Sequence, residues 1–221
     1  MPELLKQLHK LCQTNDTYAL NLAIKSVPNI DEHYEGKTLL YTACYHGHIE
    51  ITKILLENGA DPNVRSFGST NMYIATWYNY PNIIYELLKY NANVDDTNNG
   101  TIFSPLCYAI YREYTDIVKI LVNFGANVNY SVDGKNTRPL HLACQTRNFE
   151  IIKTLLNYGA DINYRDDYKL LPMYYIVNNE SYSKVKEATP ELLKLFSQHN
   201  EQVIHKSLNP YASEWIPNIP S

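Results

Sequence analysis

The residues of this chain best suited to chemistry are its histidines, its cysteines and one pair of aspartates. His46 and His48 flank Gly47, with His33 not far upstream. Imidazoles so grouped could hold zinc, provided they converge at about 2.0–2.1 Å with outer hydrogen bonds orienting each ring. Cys144 follows His141 by three residues, about one helical turn. A thiol and an imidazole at that spacing could act as nucleophile and base, given contact and an activated thiol. Asp166 and Asp167 are adjacent carboxylates, read as a solvated acidic turn. Cys12, Cys44, Cys107 and Cys144 form no C-x-x-C pair, so neither a zinc knuckle nor a redox motif is indicated. They read as small buried hydrophobes in a reducing compartment. No G-x-G-x-x-G and no Gly-Lys-Ser/Thr loop is present to cradle a phosphate.

Composition narrows the field further. The 221 residues carry 19 Lys and Arg against 23 Asp and Glu, a net charge of −4. Binding nucleic acid through phosphates calls for a basic excess, so nucleic acid is not an expected partner. No apolar run reaches the ~18–20 residues that span a bilayer. The opening MPELLKQLHKLCQ has no long apolar core and does not read as a signal peptide. The expected location is therefore cytoplasmic, and the chain alone is expected to be monomeric. Twenty tyrosines and 24 asparagines stand out. Both residues have AT-rich codons, so the excess points first to genome composition.

The elements that position these residues repeat. GADPN ends at Asn63, NANVD at Asp95, GANVN at Asn129 and GADIN at Asn163, spacings of 32, 34 and 34 residues. Before each lies an amphipathic stretch, IEITKILLEN, NIIYELLKYN, DIVKILVNF and FEIIKTLLNY. Apolar residues there recur at i, i+3 and i+4, one buried helical face. Further upstream come TLLYTACYHGH, TNMYIATWYNY, SPLCYAIYREY and RPLHLACQTRN. These predict shorter helices opened by Thr, Ser or Arg, with Pro105 and Pro139 in the first turn, where proline is tolerated.

On those residues the chain resembles the ankyrin-repeat family, whose units follow T-P-L-H-x-A…G-H-x-E-I-V-x-x-L-L-x-x-G-A-D-x-N. The matching units are residues 31–64, 65–96, 97–130 and 131–164. Residues 1–30 resemble an N-terminal capping repeat with helices near 3–13 and 17–26. Residues 165–197 resemble a degenerate C-terminal repeat with an insertion near 180–188, and 198–221 form a tail. The resemblance implies an all-α solenoid of stacked helix-turn-helix units with β-hairpin-like loops. Stacking is what buries each pair's apolar face. Leu55 and Leu56, Leu87 and Leu88, Leu121 and Val122, and Leu155 and Leu156 should line the core, with Ala43, Ala75, Ala109 and Ala143. Under this resemblance His46 and His48 are ordinary repeat residues, not metal ligands, and His141 and Cys144 fill packing positions. Tyr41 and Tyr73 replace the family's semi-buried histidine. No cofactor, metal or catalytic residue is expected. Asn163 resembles asparagines that an oxygenase hydroxylates in some members.

The repeat also departs from the family pattern. Gly59, Gly125 and Gly159 suit a left-handed cap after the second helix, with Asn91 in the second repeat. Between the helices Gly47 matches, but Asn79, Glu113 and Arg147 replace glycine. Left-handed backbone there puts about 1–2 kcal/mol of strain on Glu113 and on Arg147. The expectation favoured is a locally soft array; the other is a specific role for those side chains.

Such arrays bind proteins through the hairpin tips and the concave face of the first helices. The exposed positions before each inter-helix turn are Tyr45 and His46, Trp77 and Tyr78, Tyr111 and Arg112, and Gln145 and Thr146. Read as a column, Tyr45, Trp77 and Tyr111 form an aromatic ladder, and Tyr, Trp and Arg dominate interface hot spots. The tips add Tyr34, Glu35, Phe67, Ile102 and Lys135. The expected binding set is Tyr34, Tyr45, His46, Phe67, Trp77, Tyr78, Tyr111, Arg112 and Gln145. The expected function is protein binding rather than catalysis. The composition suits a host-interaction effector of an intracellular bacterium or large DNA virus, acting in host cytosol, or a protist scaffold. The tail, with Trp215 and Ile216, is expected to fold back over the last repeat; the alternative function is an adaptor whose tail recruits a ubiquitin ligase or other machinery. An enzyme is the least favoured reading.

Overall fold

A computed structural model of the chain describes residues 2–97, 103–130, 136–177 and 189–199. Ile102, Lys135, the 180–188 insertion and the tail beyond His199, with Trp215 and Ile216, lie outside the described residues.

The described residues are helical and fall into two compact units that divide after Asn127. The first unit holds eight helices. They are α1 (Pro2–Thr14), α2 (Thr17–Ala23), α3 (Leu39–His46), α4 (Ile49–Glu57), α5 (Asn71–Trp77), α6 (Pro81–Lys89), α7 (Pro105–Tyr111) and α8 (Thr115–Asn123). A 3-10 turn, Ile24–Ser26, follows α2. The second unit holds α9 (Pro139–Thr146), α10 (Phe149–Asn157), α11 (Tyr174–Val177) and α12 (Thr189–His199). Each repeat read from the sequence thus supplies two helices.

Local sequence explains where the short first helices begin. Thr38, Thr70 and Ser104 are N-caps whose hydroxyls accept from the backbone N–H of Tyr41, Tyr73 and Cys107. Arg138 has no side-chain acceptor, and the bond is reversed: its own N–H donates to His141 Nδ1 at 3.2 Å. Within the first unit α1, α3, α5 and α7 pack in sequence, as do α2, α4, α6 and α8. The expected leucines, Val122 and the four alanines are all buried. So are the four cysteines, which are free thiols.

The loops carry two devices. Tyr34–Lys37 and Ser66–Ser69 form tight bridged turns with positive φ at both central residues, Glu35–Gly36 and Phe67–Gly68, the twist that hairpin turns favour. In addition, side chains spaced 30–32 residues before a loop fasten its backbone. Asp31 Oδ1 accepts from the Asp61 N–H (3.1 Å), Asn63 Oδ1 from Asn93 (2.8 Å) and Asp95 Oδ1 from Asn127 (3.1 Å). In the second unit Asn129 Oδ1 accepts from Asp161 at 2.9 Å. Part of the asparagine excess therefore has a structural use.

Asn79, Asn91, Glu113 and Arg147 all have positive φ, between 57° and 64°. The Arg147 side chain is also put to use, since its Nη2 donates to the Ile176 carbonyl at 2.9 Å and caps α11. That charge-assisted bond works against the strain at Arg147 and gives its side chain a specific role. A correction concerns Asp166. It is buried rather than solvated, and it accepts from the Leu170 N–H and the Tyr175 hydroxyl.

Candidate interaction surface

Eight of the nine expected binding residues lie in the first unit, and Gln145, exposed on α9, lies in the second. Their exposure follows from helix geometry. On α3 and α5 the buried faces are set by Leu39, Leu40, Ala43 and Cys44, and by Met72, Ile74 and Ala75. The last turn of each helix then points Tyr45 and Trp77 away from the core. Trp77 is 45% exposed, Tyr111 60% and Phe67 65%. His46 and Arg112 are exposed as well. Tyr34 is half-buried, its ring 5.6 Å from that of His9.

The rings do not contact one another as a straight column. Among the described residues no ring contact joins Tyr45, Trp77 and Tyr111 to each other. Contacts run diagonally, from one repeat's outer position to a different position in the next. Tyr45 meets Tyr78 edge-on at 5.2 Å and stacks on Tyr41 at 6.2 Å. Tyr41 in turn meets the edge of Phe67 at 6.2 Å. Trp77 stacks on Tyr108 at 5.1 Å, with Tyr73 beside both. The Arg112 guanidinium lies 5.9 Å from the Tyr108 ring and 5.5 Å from Tyr114, and donates to the Tyr108 hydroxyl. Tyr111 contacts Phe103. Two aromatic groups result, one around Tyr41 and Tyr45 and one around Trp77 and Tyr108.

Tyr108 is the residue that sequence reasoning misses. Its counterparts in the other repeats are Thr42, Ile74 and Leu142, all buried. A larger ring in that slot reaches up to underlie Trp77. The signal is a tyrosine where the other repeats carry smaller side chains.

An open hollow of about 260 Å³ lies beside the first aromatic group. Tyr41, Thr42, Tyr45 and Phe67 line it, with Lys37, His46 and Gln13. Burial lowers the His46 pKa, with His48 and Lys37 adding to the effect, which favours the neutral ring. The neighbouring Tyr45 hydroxyl, with burial, pushes the Tyr78 phenol up to about 12. These rings are therefore neutral, polar-edged surfaces at ordinary pH.

The groups weighed for catalysis are committed elsewhere. Burial pushes the Cys144 thiol well above its ordinary range, leaving it without thiolate character. His141 accepts from Arg138 at Nδ1 and donates to the Leu170 carbonyl at Nε2, so both nitrogens are occupied. His46 and His48 stack at 5.8 Å, and His48 Nε2 bonds the Gln13 carbonyl. Among the described residues no group of three His, Cys, Asp or Glu could hold a metal. No described helix is long and apolar enough to cross a membrane.

Comparison with known proteins agrees with this architecture. The ankyrin-repeat family matches residues 8–98 and 72–166. Rabankyrin-5 of Mus musculus is 29% identical over 106 residues, covering 38% of this chain and 9% of that protein. The ANK repeat-containing protein nipk-1 of Caenorhabditis elegans is 34% identical over 107 residues, covering 47% and 17%. The chain thus spans under a fifth of these relatives. Among solved structures, the Bcl-3 ankyrin repeat domain superposes with a TM-score of 0.71 at 22% identity, covering 84% of this chain and 81% of that one. The human ASB11 ankyrin repeat domain gives 0.65 at 23%, covering 87% and 83%. At that identity the likeness is one of fold.

Proposed function

Because the chain belongs to the ankyrin-repeat family, whose repeats generally mediate protein–protein interaction, we propose that it binds a partner protein. The contact surface is the first-helix row, the concave face in such arrays, together with the hairpin tips. In the first unit Tyr45, His46, Trp77, Tyr78, Tyr111 and Arg112 supply the helical part and Tyr34 and Phe67 the tips; in the second unit, taken by itself, Gln145 is the exposed candidate on α9.

One observation carries this reading. Trp77 is almost half exposed, yet its ring is already stacked on the buried Tyr108. A large aromatic area held in place before binding loses little conformational entropy when a partner covers it. Arg112, braced on the same tyrosine, adds a fixed donor. The setting as a host-directed effector in the cytosol rests on composition alone.

The test is affinity capture with the wild-type chain beside Trp77→Ala and a Tyr45/Trp77/Tyr111 triple alanine variant. Trp77→Ala should keep the helical circular dichroism and weaken the captured partner by about 30-fold, the scale of a hot spot. Equal recovery by all three proteins overturns the assignment. Unfolding of Trp77→Ala would make Trp77 a core residue and overturn it too.

A further inference from the structure

The hollow beside Phe67 has a chemistry that selects among partners. Its walls are the rings of Tyr41 and Phe67. Its polar rim holds the Lys37 ammonium, the His46 imidazole and the Gln13 amide, and no carboxylate lines it. Lys37 rests 5.8 Å from the centre of the Phe67 ring and has no carboxylate partner among the described residues. Of the three lining hydroxyls, that of Thr42 is engaged, bonding His9 Nδ1 and donating to the Thr38 carbonyl, and those of Tyr41 and Tyr45 are phenols. The available chemistry is thus one cation with neutral polar groups, an imidazole, an amide and two phenols, beside aromatic rings and with no anion. About 260 Å³ falls below the usual range for a cofactor or drug-sized ligand and suits a side chain or two.

Phe67 adds an independent observation. It holds a left-handed φ of 53° at the tip of its turn, where Asn or Gly would sit with less strain. A bulky residue in that region is an outlier, and such strain gathers at binding sites. The turn before it makes room. A Cβ on Gly36 would stand 2.6 Å from Phe67 Cε1, so the ring reaches its place over the first turn only because residue 36 has no side chain.

We infer that this hollow receives a glutamate or aspartate side chain from within a partner segment, its carboxylate at Lys37 and His46 and a neighbouring apolar residue on Phe67. The inference rests on the partner-binding reading above and specifies the chemistry of the partner.

The test uses three blocked pentapeptides, acetyl-Gly-Leu-Glu-Leu-Gly-amide and the same peptide with Gln or Lys in place of Glu. Each is titrated into the full chain and followed by amide nitrogen–proton NMR. The Glu peptide should shift the amides of Lys37, Tyr45, His46 and Phe67 and bind about fivefold tighter than the Gln peptide, the scale of a partly exposed ion pair. The Lys peptide should bind weakest. Lys37→Met should bring the Glu peptide down to the Gln level. Phe67→Asn should weaken the Glu and Gln peptides without lowering the melting temperature, which separates lost binding from lost folding. Equal binding of Glu and Gln, a Glu preference that survives Lys37→Met, or no shift at these amides with any peptide overturns the inference. A captured partner that depends on Trp77 but not on Lys37 keeps the partner reading and refutes this one.

Discussion

Acidification should loosen the first unit through one buried ring. His9 lies on α1 with 4% of its surface exposed. Its Nδ1 bonds the Thr42 hydroxyl at 2.8 Å, and its Nε2 is buried without a partner. Thr42 itself donates to the Thr38 carbonyl, so the arrangement requires Nδ1 to carry the proton and leaves Nε2 as a bare acceptor. Burial first, and the Lys37 charge second, lower the pKa from 6.5 to about 4, against a smaller opposing pull from Glu35. Between these two values the unfolded chain binds a proton at this ring and the folded chain does not. Protons therefore favour unfolding. The contribution is full above pH 6.5, falls as the pH drops towards 4, and levels off below that. The gap amounts to roughly 3 kcal/mol, at about 1.4 kcal/mol per pH unit on the steep part.

The assay is urea unfolding at a series of pH values from neutrality to about 4.5 for the wild type and for His9→Gln, which lacks the titrating ring. His46 and His141 also have lowered pKa values, and Asp31 has a raised one. Those effects are common to both proteins and cancel in the difference. The wild type should lose more stability on acidification than His9→Gln, by about 2–3 kcal/mol at the acidic end. Parallel pH profiles would refute the argument. So would a His9 ring proton that titrates near 6.5 in the folded protein by NMR.

Three further outcomes follow from the packing. Arg147→Ala keeps the left-handed turn but loses the bond to the Ile176 carbonyl, so it should cost about 2 kcal/mol in urea unfolding of the second unit. Arg147→Gly relieves the strain and should cost about 1 kcal/mol less. Asn63→Ala removes the acceptor of the Asn93 N–H and the donor to the Asn91 carbonyl, an expected loss of about 1–2 kcal/mol. Hydrogen exchange at Asn93 should quicken accordingly. Gly36→Ala combines a left-handed φ of 77° with a methyl group in the Phe67 ring. It should lower stability by at least about 1–2 kcal/mol, and the Phe67 ring resonances should move.

The helices are legible because their signals are local. An N-cap, a first-turn proline and an apolar stripe at i, i+3 and i+4 each act within one turn, so Thr38, Pro105 or Leu87 announces its role from its neighbours alone. The repeat register then multiplies each signal. At the surface the register gives equivalence but not contact. Tyr45, Trp77 and Tyr111 align as equivalents, but neighbouring repeats bring unlike positions into ring contact, so Trp77 meets Tyr108 and Tyr45 meets Tyr78. Asp166 escapes a sequence reading for a related reason. Its burial depends on Tyr175, nine residues on, and nothing local to the Asp166–Asp167 pair records that contact.

Several of the residues with left-handed backbone have a local account of their strain. Of the nine non-glycine residues with positive φ among those described, four are asparagines, which tolerate that region. Arg147 offsets its strain with a bond to Ile176. The Lys169 N–H closes a turn onto the Asp166 carbonyl. Phe67 has no polar side-chain group with which to gain a bond like that of Arg147, and 65% of its surface faces solvent. Its contacts with Tyr41 and Lys37 involve the minority of the ring that is covered. Asn or Gly would hold that turn with less strain. The phenylalanine is explained if the uncovered face of its ring has a use, and the apolar side chain of a partner would cover it.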